Sequence, residues 1–281
     1  MLRETTDSLP QRMLVTLLAE FASVRSAPIA SSVLVDIFED FGISVDATRT
    51  ALSRLVSKSL LVRQKDGRST SYALSPSAAT MIREDRDRIL KFGEPQEWDG
   101  RWTLVAFSVS EAQRERRHTL RSQLRGLGFA PLFDGLWGAA FASEDDARKA
   151  LEFADVPESL VARGEISMLG AKINTFHRAW KLDDIAMQYN TFIADVAPIV
   201  ERAEKGEVAP AEALLIRTRI MDDWRTFPIN DPGLPRELLP DGWPREYAHQ
   251  LFIRAYELLK PPAELRLKML MQTTSPGKRV A

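Results

Sequence analysis

The sequence predicts an α+β protein with an N-terminal winged helix, a ferredoxin-like βαββαβ middle domain and a helical C-terminal domain. Three observations carry that expectation. Successive helical apolar stripes, one of them Leu34, Ile37, Phe38 and Phe41, lead into two short strand-like runs around Asp66-Gly67. Strand-like and helix-like segments then alternate over residues 102–169. From Trp180 onward the apolar period is helical, apart from a proline-rich stretch at 227–244. The expected domains are therefore 1–92, 98–173 and 180–272, with Gly93-Glu94-Pro95-Gln96 as the first linker because glycine and proline interrupt the helical pattern there.

In the first block, Ser8-Leu9-Pro10-Gln11 has the spacing of a capping box, and Leu14, Leu18 and Phe21 follow on one helical face. The Leu34–Phe41 stripe, at i, i+3, i+4 and i+7, marks a second helix, and Gly42 supplies its stop. After the turn Gly42-Ile43-Ser44, a third helix carries Thr48, Leu52 and Leu55 inward with Ala51 and Val56 beside them. Residues 61–65 and 68–74 read as strands joined by Asp66-Gly67, a pair suited to a tight hairpin turn.

The middle block opens on a β-rich run at 102–109, followed by a helix over 111–127 with Leu120, Leu124 and Leu127 inward. Short strands are expected at 129–133 and 136–141 around Asp134-Gly135, then a helix at 144–153 and a closing strand at 165–169. In the last block Lys205-Gly206-Glu207 breaks a long helix that begins near Leu182. The tail at 273–279 has no apolar period and is expected to be mobile.

The chain has 281 residues, 44% hydrophobic and 27% charged, so it can bury more than one core and is not a disordered polymer. A formal net charge of -1 confines any nucleic-acid surface to a local patch. Met1-Leu2-Arg3-Glu4-Thr5 mixes charges without a signal-peptide apolar stretch, and no apolar run is long enough to span a bilayer, so a soluble cytoplasmic protein is expected. With no cysteine, disulfides, thiolate nucleophiles and cysteine-ligated metals are excluded. The 3 histidines, His118, His177 and His249, are far apart with no metal-ligand spacing. No cofactor and no metal site are expected.

The third helix leaves Asp46, Arg49, Thr50, Ser53 and Ser57 outward, with Arg54 and Lys58 at the flank. Short polar and arginine side chains are what a helix in the DNA major groove uses to read base edges. Arg63, Lys65 and Arg68 around the hairpin turn are suited to backbone phosphates. A solvated amphipathic helix beside an ordinary hairpin has the same pattern, and winged helices also serve as protein-interaction scaffolds, so that alternative stays open. On the middle helix Arg114, Arg117, Arg121 and Arg125 form one stripe, able to meet phosphates or simply to pair with nearby carboxylates. The 6 tryptophans read as core or interface anchors, or as walls of a ligand pocket.

These pieces together resemble the phenylacetate-operon repressor family (PaaX type) over essentially the whole chain. The matching strings are GISVDATRTALSRLVSKSLL and DGRSTSYAL, then WDGRWTLVAFSV and RRHTLRSQLRGLGFAPLFDGLWG, and most distinctively DPGLPRELLPDGWP. The resemblance implies a homodimeric, non-enzymatic repressor of double-stranded operator DNA, released by an acyl-CoA such as phenylacetyl-CoA. It also implies a middle domain folded like the small CRISPR-associated integration subunits. Arg49 and Arg54 fall in its recognition-helix motif, Gly67 and Arg68 in the wing, Arg117 and Arg121 in a paired-arginine motif taken as effector-binding, and Trp243-Pro244 in the C-terminal signature. Where the family continues Trp-Pro-Gly, this chain has Trp243-Pro244-Arg245-Glu246, which reads as a charged helix start.

A rival from another class is a metal-dependent nuclease using the middle domain. That chemistry needs a metal-binding carboxylate near the end of the first strand. The strand instead ends Phe107-Ser108-Val109-Ser110.

Overall fold

The computed structural model describes residues 8–24, 28–67, 69–166 and 180–273. Arg68, the tail beyond Thr273 and most of the strand expected at 165–169 lie outside the described residues. The chain is mixed α and β, with two small antiparallel sheets and a helical C-terminal region. It divides into two compact units. The first gathers the described parts of Met1–Lys91, Asp195–Trp224 and Gln250–Ala281, the second those of Phe92–Ala194 and Arg225–His249. No helix among the described residues is long and apolar enough to cross a membrane.

The N-terminal block runs α1 (Leu9–Val24), β1 (Ile29–Ala30), α2 (Ser31–Asp40), α3 (Val45–Ser57), β2 (Leu61–Asp66), β3 (Ser69–Leu74) and α4 (Pro76–Lys91). Leu14 and Leu18 of α1, Leu34, Ile37 and Phe38 of α2, and Leu52 and Leu55 of α3 are buried together, the stripes expected from their spacing. α2 stops at Gly42 as expected: the Gly42 N–H donates to the Glu39 carbonyl and the Ile43 N–H to the Phe38 carbonyl, satisfying helix-end acceptors. The capping box at Ser8 does not form. Gln11 is buried instead, and its Oε1 has no hydrogen-bond partner among the described residues.

The hairpin, its sheet and the next helix also depart from expectation. β2 runs on to Asp66, which pairs with Ser69, so the hairpin turn sits one residue later than Asp66-Gly67. Gly67 takes φ +56 there, a conformation that a side chain disfavours. β1 adds a third strand beside β3. Helix α4 was not read from the sequence, although Ser75-Pro76 announces it. The Ser75 hydroxyl accepts the Ala78 N–H at 3.2 Å, and proline suits the first helical position.

The middle segment runs β4 (Trp102–Phe107), a 3-10 turn (Glu111–Gln113), α5 (Arg114–Gly126), β5 (Ala130–Phe133), β6 (Leu136–Ala139), α6 (Glu144–Phe153) and β7 (Ser159–Gly164). The sheet order is β5-β6-β4-β7, every pair antiparallel. Its core is Val105, Trp137 and Ala139 from the sheet with Leu120, Leu124, Ala147, Ala150 and Leu151 from the two helices. Most of the strand expected at 165–169 lies outside the described residues, and a strand not read from the sequence, Ser159–Gly164, pairs with β4 at the sheet edge. Its Leu160 is 58% exposed, which weakened the apolar alternation in the sequence and favoured the more hydrophobic run beyond it.

The C-terminal region runs α7 (Leu182–Glu204), α8 (Pro210–Trp224), α9 (Phe227–Asn230), a 3-10 turn (Arg236–Leu238), α10 (Arg245–Leu258) and α11 (Lys260–Thr273). The break after Glu204 falls where Lys205-Gly206-Glu207 placed it. The proline-rich stretch is not wholly loop, since α9 and the 3-10 turn each give it one helical turn.

Candidate nucleic-acid interface

Helix α3 is fixed from both ends of its first turn. The Ser44 hydroxyl accepts the Ala47 N–H at 3.3 Å, and the buried Thr48 hydroxyl donates to the Ser44 carbonyl at 3.1 Å. Thr48, Ala51, Leu52 and Leu55 are buried, so the opposite face is settled by the 3.6-residue period. On that face Thr50, Ser53 and Ser57 lie near the middle, while Arg49 and Arg54 flank them on either side. All five, and Lys58 at the C-cap, are exposed.

In the hairpin, residues 62–67 are all exposed. Alternation puts Leu61, Arg63 and Lys65 on one face of β2. Leu61 is buried opposite Leu74, whereas Arg63 stands opposite Tyr72 and Lys65 opposite Thr70. The face that begins as core therefore turns cationic as the hairpin leaves the helices. Among the described residues, Arg49, Arg54, Arg63 and Lys65 have no carboxylate within ion-pair reach. Exposed cations without internal partners are free to exchange counterions for phosphates. Arg68 lies outside the described residues.

Of the four arginines in the α5 stripe, Arg117 and Arg125 are engaged by the protein itself, while Arg114 is exposed. Arg117 donates to the Val109 carbonyl at 2.8 Å and pairs with Glu111 at 3.1 Å. Arg116 pairs with Asp155 at 2.7 Å, and the Arg125 guanidinium lies 5.4 Å from the centre of the Trp137 ring. Arg121 differs. Its Nε is buried with no hydrogen-bond partner, and no carboxylate pairs with it among the described residues. Asp99, just before β4, accepts the Arg101 N–H and pairs with Arg163 at 2.9 Å, which together hold its carboxyl below the ordinary range. No group of three potential metal ligands occurs among the described residues.

The C-terminal signature is organised around a carboxylate that sequence reasoning passed over. Asp231 has no exposed side-chain surface. It takes hydrogen bonds from Arg245 Nε and Nη2 at 2.8 and 2.9 Å, from the Tyr189 hydroxyl at 2.7 Å and from the Gly233 N–H at 2.8 Å. Arg245 Nη1 also donates to the Leu234 carbonyl at 2.9 Å. Burial, with the Asp231 carboxylate beside it, raises the Tyr189 phenol well above its ordinary value, so it stays a donor. Tyr189 stacks on Phe227 at 4.2 Å, and Trp243 meets it edge-on at 6.3 Å.

Arg245 opens α10, as its reading as a charged helix start has it, and its side chain, only 14% exposed, locks the signature loop. The loop in turn lies against the end of α5. A Cβ on Gly128 would come within 3.0 Å of the Pro232 carbonyl oxygen, so only glycine admits that approach. One sequence signal pointed at Asp231: Asp-Pro-Gly is a turn former in which the aspartate bonds the backbone two residues on.

A second buried charge cluster, in the first unit, had no such signal. Both Glu20 carboxylate oxygens are engaged, one by Arg217 Nη1 and the other by the Tyr256 hydroxyl. The Arg217 guanidinium also donates from Nε to the Tyr256 carbonyl at 3.0 Å and lies 3.7 Å over that residue's ring. The Arg12–Asp222 pair at 3.3 Å and the Trp224 indole bond to the Ile89 carbonyl at 3.0 Å tie the N-terminal helices further to α8.

Comparison with known proteins adds three consecutive family matches. The "PaaX-like protein" model matches residues 10–78, the "PaaX protein central Cas2-like domain" residues 95–169 and the "PaaX-like protein C-terminal domain" residues 180–269. The transcriptional repressor PaaX of Escherichia coli (strain K12) is 27% identical over 258 residues, covering 89% of this chain and 80% of that protein. The solved structure of the uncharacterized protein Rv0674 from Mycobacterium tuberculosis superposes with a TM-score of 0.60 at 20% identity, over 90% of this chain and 96% of that one. This last likeness is one of fold.

Proposed function

The chain belongs to the PaaX family of transcriptional regulators, and on that premise we propose that it is a cytoplasmic, non-enzymatic repressor of a catabolic operon. In this reading α1–α3 and the β2–β3 hairpin act as a winged helix, and β4–β7 with α5 and α6 as a ferredoxin-like domain. The functional divisions are 1–92, 98–173 and 180–272. The observation that carries the DNA reading is the set of exposed cations without internal carboxylate partners on α3 and β2. Arg49, Thr50, Ser53 and Arg54 read base edges, while Lys58, Arg63, Lys65 and Arg68 hold phosphates. A homodimer presents two such helices to half-sites ~34–36 Å apart, or a multiple of that spacing.

Gel-shift titrations test the assignment. Arg49→Ala is expected to weaken operator binding by about 1–3 kcal/mol while sparing scrambled DNA. Lys65→Ala should instead weaken both DNAs alike and lower the salt slope by about one counterion. Equal losses on both DNAs for Arg49→Ala would remove its base-reading role.

The effector in this proposal is an acyl-CoA, phenylacetyl-CoA or a related aryl-CoA, which favours an arrangement that no longer matches the operator. Support comes from the family and from the middle helix, where Arg121 keeps a buried donor unpaired. Arg117 is already engaged by Val109 and Glu111, so of the two it should matter less to phosphate binding. We expect phenylacetyl-CoA to lower operator affinity where free phenylacetate does not, and Arg121→Ala to blunt that response more than Arg117→Ala. A panel of acyl-CoA esters without effect on the gel shift would reject the effector class.

A further inference from the structure

We propose that the first unit contains a phosphate-binding pocket lined by α1, α4, α8 and α11, built around Arg86 and Lys260. A partly enclosed cavity of about 40 Å³ lies there, bordered by Glu20, Arg86, Arg217, Lys260 and Glu264 among others. By the usual measure that is room for roughly three waters, the size of one phosphoryl group and too small for a nucleotide.

The charges around the cavity are not equivalent. Glu20 has both oxygens taken, by Arg217 and by the Tyr256 hydroxyl. Arg217 is held in turn by the Tyr256 carbonyl and ring. That pair is self-satisfied and leaves the pocket to the other groups. Arg86 and Lys260 have no ion-pair partner among the described residues, and neither has Glu264. Two unpaired cations thus face one unpaired carboxylate, a balance that favours an anion.

The second observation is independent of charge. Arg86 Nε is buried and, among the described residues, has no acceptor. A buried guanidinium donor without an acceptor is costly, and an oxyanion that draws the Arg86 fork toward the cavity would relieve that cost. Arg86 lies on α4, the helix after the hairpin, and Glu20 on α1. Occupancy therefore bears on helices continuous with the DNA-reading block.

The pocket rests on its own geometry and not on the acyl-CoA reading. Inorganic phosphate is the probe, added to the full-length protein at ionic strength matched with chloride and followed by calorimetric titration and thermal melting. Wild type is expected to bind phosphate and melt higher. Arg86→Gln and Lys260→Gln should each weaken binding by about tenfold or more, the loss of one charge-assisted hydrogen bond. Lys260 is exposed, so its variant keeps the fold even where Arg86→Gln does not. Coenzyme A and dephospho-coenzyme A, which lacks the terminal phosphomonoester, distinguish the sources. Where inorganic phosphate binds, competition by coenzyme A but not by dephospho-coenzyme A assigns the pocket to that phosphomonoester, and competition by neither assigns it to free phosphate. No phosphate-specific shift, or the same affinity in wild type and Lys260→Gln, would overturn the proposal. Intact phosphate binding with no acyl-CoA effect on DNA would instead count against the effector reading only.

Discussion

Arg245→Met is expected to cost about 3–5 kcal/mol of folding stability, because it leaves the wholly buried Asp231 carboxylate without its counter-charge. That is a large share of the ~5–15 kcal/mol by which a domain is typically stable. The Tyr189 hydroxyl and the Gly233 N–H would still point at the anion, but two neutral donors do not offset a buried charge. Asp231→Asn strands the arginine in the same way. The double variant Asp231→Asn/Arg245→Met buries no charge, keeps an acceptor for Gly233, and should lose clearly less than the sum of the singles. Urea unfolding of all four proteins closes the cycle. Additive losses would mean that the pair acts only by filling space, and a single-variant cost under about 1 kcal/mol would place it with surface pairs.

The same residues mark how far the sequence can be read. Helices α2 and α3 and the hairpin were legible because their signals are local: a 3.6-residue apolar period, a stop at Gly42, an Asp-Gly pair. The outward set Arg49, Thr50, Ser53 and Arg54 followed directly, since burial of Thr48, Ala51, Leu52 and Leu55 settles the opposite face. The turn slipped by one residue because Asp66 pairs with Ser69, which a propensity for turns does not exclude. Helix α4 was missed despite its Ser75-Pro76 start, because buried Ala78, Ile82 and Ile89 are diluted by charges between them.

Arg245 does open a helix, as its reading as a charged helix start has it, but its role in the loop was not legible. A charged residue opening a helix resembles a solvated one until its partner, 14 residues earlier in a loop, is known. Within the arginine stripe of α5, spacing defined the row but could not say which members the fold had already engaged. Val109 and Glu111 take Arg117 and Trp137 takes Arg125, while Arg114 is exposed and Arg121 has its Nε buried. Only the folded arrangement separates Arg121 from its neighbours.

Glu20→Gln is expected to be comparably severe, costing about 3–5 kcal/mol, and to abolish operator binding at temperatures where the wild type still binds. Glu20 and Arg217 are 197 residues apart in sequence, and both side chains are largely buried. The glutamine keeps an acceptor for the Tyr256 hydroxyl but removes the charge, leaving the Arg217 guanidinium buried against the Tyr256 ring with its carbonyl bond alone. The consequence reaches function because Glu20 belongs to α1, which carries buried Leu14 and Leu18 and packs against α3. When α1 loosens, α3 loses the packing that fixes its outward face. Glu20→Gln should therefore lower the melting temperature and the operator affinity together, and excess DNA should restore part of the stability by mass action. Glu20→Met/Arg217→Met, which fills the space without burying a charge, is expected to recover much of both. A Glu20→Gln protein that melts like the wild type would show that water or another acceptor satisfies Arg217. One that melts normally yet fails on DNA would move Glu20 from supporting the fold to acting at the interface.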